Sequence, residues 1–173
     1  MDDGTHRRSR VMVDTTVLVA GSGWPRWPRE VLLAGLDGVY ELVLCPYVLD
    51  EARRVIGRRF PREHVARFEE FLSDARFVLA QDATADEIAA HNGLVRDVTD
   101  LPIVVAALKA GVDYLVSEDK DLTGQDATTA QLRERLPILL SGTFLRLVLG
   151  WSSQDLEHLR GRTRADVPKE SGS

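Results

Sequence analysis

Four acids stand where a fold could gather them. Asp14 closes the apolar run Val11-Met12-Val13. Glu51 follows Val48 by three positions, and Asp100 shares helical spacing with Ile103 and Ala107. Asp119 comes three residues after Tyr114-Leu115-Val116, with Glu118 and Asp121 beside it and Asp97 ahead of Asp100. Carboxylates crowded within a few ångströms repel, so such a set either takes up protons or surrounds a cation. Neutralising neighbours are few: Arg96 precedes Asp97, and Lys120 lies between Asp119 and Asp121. Oxygen-only ligation selects Mg²⁺ or Mn²⁺ over zinc. The four histidines, His6, His64, His91 and His158, lack ligand spacing. A hard dication can activate water and neutralise charge developing on a phosphodiester during in-line displacement. Metal-assisted phosphodiester hydrolysis is the chemistry this set favours.

Each acid taken alone has a plainer reading. Asp100 suits a helix cap worth about 1 kcal/mol, Asp119 suits the start of a turn, and Glu51 suits the first turn of a helix whose dipole it complements. Asp14 is harder to explain away, because an unpaired acid at the end of a buried strand is costly. Glu51 ranks above Asp50: Val48, Glu51 and Val55 fall at i, i+3 and i+7, whereas Asp50 is rotated about 100° towards solvent. Asp100 ranks above Asp97, which falls in the preceding loop. The joint pattern is more specific than any member.

The elements that must position these acids alternate between short apolar strands and helices. Val11–Val13, Leu42–Cys45, Phe77–Leu79, Tyr114–Val116 and Ile138–Leu140 read as strands. A looser segment with Gly21, Ser22 and Gly23 follows Asp14, and helices are expected over Trp27–Leu36 and from Pro46, which suits a first helical position. Val48, Leu49, Ala52, Val55 and Ile56 make an apolar stripe on the latter. Further helices are expected over Arg62–Ser73, Thr84–His91, Pro102–Ala110 with Gly111 just past its end, Phe144–Leu149 and Asp155–Leu159. Buried strands alternating with helices predict an α/β fold with a parallel sheet of about five strands covered on both faces. In such sheets ligands bind at the carboxyl ends of strands, near a switch in strand order. That rim is where four chain regions would deliver acids.

Composition bounds the rest. The chain has 173 residues, 44% hydrophobic and 28% charged, within reach of one core serving about 100–200 residues. Disordered, collagen-like and coiled-coil chains are excluded. No run approaches the roughly 18–20 apolar residues of a membrane helix, and MDDGTHRRSR lacks the apolar segment of a secretory signal. Cys45 is the single cysteine, which precludes an internal disulfide or a thiolate cluster and suits a reducing cytoplasm. The net charge of −5 argues against a wholly basic nucleic-acid coat while allowing a local basic surface. We expect a basic leader over residues 1–9, one domain over 10–160, and a polar, disordered tail over 161–173.

Val11-Met12-Val13-Asp14-Thr15-Thr16-Val17-Leu18-Val19 resembles the opening strand of the PIN-domain family, the PilT N-terminus-like nucleases. Pro46-Tyr47-Val48-Leu49-Asp50-Glu51 resembles the segment carrying that family's helical Glu. Arg96-Asp97-Val98-Thr99-Asp100-Leu101-Pro102-Ile103 resembles its third-acid motif, and Tyr114-Leu115-Val116-Ser117-Glu118-Asp119-Lys120-Asp121-Leu122 its fourth. The nearest likeness is to VapC-like toxin components of type II toxin–antitoxin modules, over about residues 11–140. The resemblance implies a three-layer α/β/α fold, a divalent-metal endoribonuclease, a cognate antitoxin protein and frequent homodimers. It implies that Asp14, Glu51, Asp100 and Asp119 are catalytic and hold the metal, with Asp121 as support. Thr15, Ser117 and Asp97 would support these acids, and Arg53, Arg54 and Arg58 would contact RNA phosphates, which position a strand without reading its sequence. Thr16 stands where many members carry Asn, the third motif lacks the proline of the closest subgroup, and Glu118 replaces a small residue. A haloacid-dehalogenase-type phosphatase would want a second Asp at position 16, and a receiver-type phosphoacceptor an acid pair at the end of strand one. The non-enzymatic alternative is a PIN-like scaffold that binds metal or a partner without turnover.

Overall fold

Apolar triplets that bury both of their faces must sit inside a sheet rather than at its surface, and Val11, Met12 and Val13 are wholly buried. A computed structural model describes residues 7–162. The first six residues of the expected leader and the tail from residue 163 onwards lie outside the described residues. In chain order the elements are β1 (Arg10–Val13), α1 (Thr15–Gly23), α2 (Trp27–Leu36), β2 (Glu41–Leu44), α3 (Pro46–Arg59), α4 (Arg62–Asp74), β3 (Phe77–Leu79) and α5 (Ala85–Ala90). A 3₁₀ turn at Val98–Asp100 leads to α6 (Leu101–Ala110), β4 (Tyr114–Val116), α7 (Lys120–Thr123), α8 (Ala130–Arg135), β5 (Ile138–Leu139), α9 (Ser141–Leu147) and α10 (Ser153–Arg160).

All five strands are parallel, in the order β3-β2-β1-β4-β5. Helices flank the sheet, giving the expected α/β architecture. The chain leaves β1 towards β2 and β3 on one side and returns to β4 and β5 on the other, so the order reverses between β1 and β4. That is the switch point where a crevice opens beyond the strand ends. Register closes it tightly: Val13 pairs with Val116, and the Asp14 amide donates to the Val116 carbonyl at 3.1 Å.

The strands lie within a residue of their expected bounds, and Pro46 takes the first position of α3. Gly111 ends α6 in the left-handed conformation at φ 64°, where glycine escapes the Cβ penalty. The segment after Asp14 differs from expectation. It is helical from Thr15 onwards, with Asp14 as N-cap accepting from the Val17 amide. Gly21 is a packing residue rather than a turn residue: a Cβ there would come within 2.4 Å of Leu32 Cδ1 on α2. The sequence reading also left out α7 and α8, and placed the helix after β5 three residues late. Among the described residues no helix is long and apolar enough to cross a membrane.

Candidate active site

Asp14 is only 5% exposed, and its carboxylate is held on three sides. The Ser117 hydroxyl donates to Oδ2 at 2.5 Å, the Thr16 hydroxyl to Oδ1 at 2.5 Å, and the Val17 amide to Oδ1 at 3.2 Å. Burial pushes the carboxyl up to about 6 even so, with these hydrogen bonds opposing the rise and the Asp119 charge adding to it. Ser117 also accepts from the Asp119 amide at 3.0 Å, and Asp119 Oδ1 accepts from the Asp121 amide at 2.8 Å. A short run of hydroxyl and amide contacts thus joins the ends of β1 and β4.

Asp100 is half-buried at the foot of α6. Its carboxyl is pushed up to about 7, first by burial and then by the charges of Asp119, Asp97, Asp14 and Asp121. Asp119, Asp97, Asp14 and Asp121 thus all lie within electrostatic reach of Asp100. Asp97 is exposed and caps the 3₁₀ turn by accepting from the Thr99 amide at 2.9 Å, which lowers its carboxyl. Asp121 is exposed and lies 3.9 Å from Arg96, which reaches Asp126 at 3.4 Å.

Glu51 enters through α3. The neighbouring Tyr47 hydroxyl is held in its neutral form by burial, by the charge of Glu51 and a hydrogen bond to it, and by Asp100. Tyr47 therefore lies within electrostatic reach of both the helical Glu and the α6 acid. The motif reading passed it over, although its place four residues before Glu51 puts both on one helical face. Thr16, the short residue at the family's Asn position, donates its hydroxyl to Asp14 while accepting from the Glu118 amide at 2.9 Å. The supporting role expected of Thr15 falls to Thr16, since Thr15 makes no side-chain hydrogen bond among the described residues.

The three arginines divide. Glu51, Arg54 and Arg58 fall at i, i+3 and i+7 and share an edge of α3, and the Arg54 charge acts on Tyr47. Arg53 projects from another face of the helix and is paired with Glu69 of α4 at 2.8 Å, so it corrects the expected basic track by leaving it. Among the described residues no three or more His, Cys, Asp or Glu side chains stand close enough together to hold a metal ion between them. The donor set is nonetheless one of carboxylates in mutual repulsion with little cationic compensation, and that fits a hard divalent ion.

An open parallel α/β sheet with an acidic cluster at its switch point defines the class. The model of the PIN domain matches residues 10–121, and the chain belongs to the PIN-domain family, whose fold is of nuclease type. The crystal structure of PAE2754 from Pyrobaculum aerophilum is similar, with a TM-score of 0.55 at 17% identity over 79% of this chain and 93% of that one. That likeness speaks for the fold. Comparison with curated proteins gives no match.

Proposed function

We propose that this chain is a divalent-metal-dependent endoribonuclease, hydrolysing RNA phosphodiester bonds as the toxin of a toxin–antitoxin pair in the cytoplasm. The observation that carries the reading is the meeting of Asp14 and Asp119 at the ends of β1 and β4, tied through Ser117, with the Asp100 carboxyl pushed up first by burial and then by the charges of Asp119, Asp97, Asp14 and Asp121. Mg²⁺ or Mn²⁺ would be held by Asp14, Glu51, Asp100 and Asp119, with Asp121 at the edge. When bound, such an ion lowers the pKa of water and neutralises charge on the phosphate being attacked.

The chain's own groups do the rest. Ser117 and Thr16 fix both oxygens of Asp14, as outer partners of metal-ligating carboxylates do. Tyr47 orients Glu51. Asp100, its carboxyl pushed up to about 7, is about half protonated at neutral pH in the metal-free site and would give up that proton to positive charge. Arg54 and Arg58 contact RNA phosphates beside Glu51. A cognate antitoxin protein and a homodimeric assembly complete the reading, supported by the likeness of the four acid segments to toxin components.

Purified protein is expected to cut labelled single-stranded RNA with Mg²⁺ or Mn²⁺, to stop on addition of EDTA, and to lose cutting in Asp14→Asn without losing its circular dichroism spectrum. Cleavage that survives chelation overturns the mechanism. Expression alone should arrest growth, relieved by co-expression of the product of an adjacent small reading frame; harmless expression of an active protein removes the toxin role.

A further inference from the structure

A cleft of ≈ 510 Å³ is lined by Trp24, Arg26, Trp27, Glu118 and Arg160 among others. Its size falls within the range of about 300–1,000 Å³ typical of small-ligand sites. Glu118 ties it to the acids: its amide donates to Thr16 Oγ1, and Thr16 donates to Asp14. The cleft thus begins two hydrogen bonds from Asp14. Its walls are built rather than incidental. Trp27 is fixed by donating from Nε1 to the Leu156 carbonyl of α10 at 2.9 Å, and it packs over Gly142. Trp24 is 39% exposed and is braced edge-to-face by Phe60 at 5.6 Å. Arg26 is anchored by its Nε to the Arg162 carbonyl at 3.2 Å, while Arg160 stands in solvent beside Glu157. Glu118 Oε1 accepts from the Ser141 amide at 2.9 Å, which holds the carboxylate at the cleft wall.

We propose that this cleft is a nucleotide subsite for the RNA strand next to the scissile bond, with a base stacked on Trp24, its phosphate met by Arg26 and Arg160, and Glu118 reading an exocyclic amine. Aromatic faces stack any base, and arginines supply the sequence-independent phosphate contact. Glu118 is what makes the subsite selective. A carboxylate accepts from the amine of cytosine, or of a purine, whereas uracil offers a single N3–H flanked by two carbonyl oxygens that repel it. The inference rests on the ribonuclease reading for its position but is tested by binding.

In an Asp14→Asn background with Mg²⁺, fluorescein-labelled oligo(rC) and oligo(rU) are titrated by anisotropy while tryptophan emission is followed. Oligo(rC) should bind more tightly than oligo(rU), and Glu118→Gln, which leaves base stacking untouched, should narrow that gap. Trp24→Leu should weaken binding roughly 5- to 150-fold, as loss of one base–aromatic stack does, and should remove part of the quenching. Arg160→Ala alters an exposed side chain and so keeps the fold; it should flatten the log–log salt dependence by about 0.7. Binding and quenching unchanged in both Trp24→Leu and Arg160→Ala overturn the subsite even if the parent chain cuts RNA. Binding that depends on these residues in a chain that never cuts RNA keeps the subsite and removes the nuclease.

Discussion

Ser117 makes two contacts with consequences for the acids on either side of it: it donates to Asp14 Oδ2 and accepts from the Asp119 amide. Removing that hydroxyl in Ser117→Ala takes away the largest influence opposing burial at Asp14, so the Asp14 carboxyl should rise above about 6. The buried oxygen loses a partner, which costs about 1–3 kcal/mol, and under the proposed function a metal-holding carboxylate loses its outer support, typically worth about 10–100-fold in affinity. Urea unfolding and a calorimetric Mn²⁺ titration read the two effects; if neither moves, Ser117 does not hold Asp14. At this scale the positions of the acids were legible, because strand ends and helical spacing put Asp14 after β1, Glu51 on α3, Asp100 at the start of α6 and Asp119 after β4. Thr16 was legible as the short residue at the position of an Asn that orients Asp14, and its hydroxyl does donate to that carboxylate. Tyr47 was not, because its role depends on which way a hydroxyl points, and an isolated Tyr in a first turn does not carry that information.

The helix after β1 shows how one residue type misleads when its neighbours in space are hidden. Gly21-Ser22-Gly23 has the composition of a turn, yet α1 runs through all three, and Ser22 donates to the Leu18 carbonyl at 2.7 Å within the helix. Gly21 is required by the approach of α2, with Leu32 Cδ1 at 2.4 Å and the Pro28 carbonyl at 3.2 Å from where a Cβ would sit. Gly21→Ala should therefore destabilise the protein by about 1–3 kcal/mol through overpacking of a buried contact. Gly57 on α3 is the control: nothing lies within 4 Å of its absent Cβ, and it is not among the positive-φ glycines. Gly57→Ala should stabilise by about 0.5–1 kcal/mol through backbone entropy and helix propensity. Opposite signs in denaturant unfolding are expected; two stabilising changes would mean that α1 and α2 do not pack as described. Strands were easier to read than this helix because burial on both faces writes itself into an unbroken apolar run, whereas α7 and α8, of four and six residues, are too short to show a helical period.

For the molecule as a whole, the acidic rim makes stability depend on pH and, under the proposed function, on a cation as well. Asp14 at about 6 and Asp100 at about 7 lie above the value of about 3.9 that each has in the unfolded chain. Between those limits the native state binds more protons than the unfolded state, so the free energy of unfolding falls as pH rises from about 4 to 7 and levels off above. Buried Asp14 contributes on the order of a few kcal/mol to that fall, and the half-buried Asp100 less, because solvent screens it. Glu87, Asp97, Asp126 and Asp155 work the other way, being held below their usual range by hydrogen bonds. They favour the native state at higher pH, but their window closes below about pH 5. From pH 5 to 8 the acidic rim dominates these opposing groups, and the metal-free protein should melt at a lower temperature at pH 8 than at pH 5. A cation competes with the protons for the same oxygens. Saturating Mg²⁺ at 100 times its dissociation constant adds about 2.7 kcal/mol, so it should raise the melting temperature strongly at pH 8 and little at pH 5. Asp14→Asn should shrink both the pH slope and the Mg²⁺ response. Differential scanning calorimetry with EDTA and with Mg²⁺ at the two pH values measures all of this. A Mg²⁺ response equal at pH 5 and pH 8 would place the ion away from Asp14 and Asp100, while no response at either pH would mean that the repulsion at the switch point is relieved by protons alone.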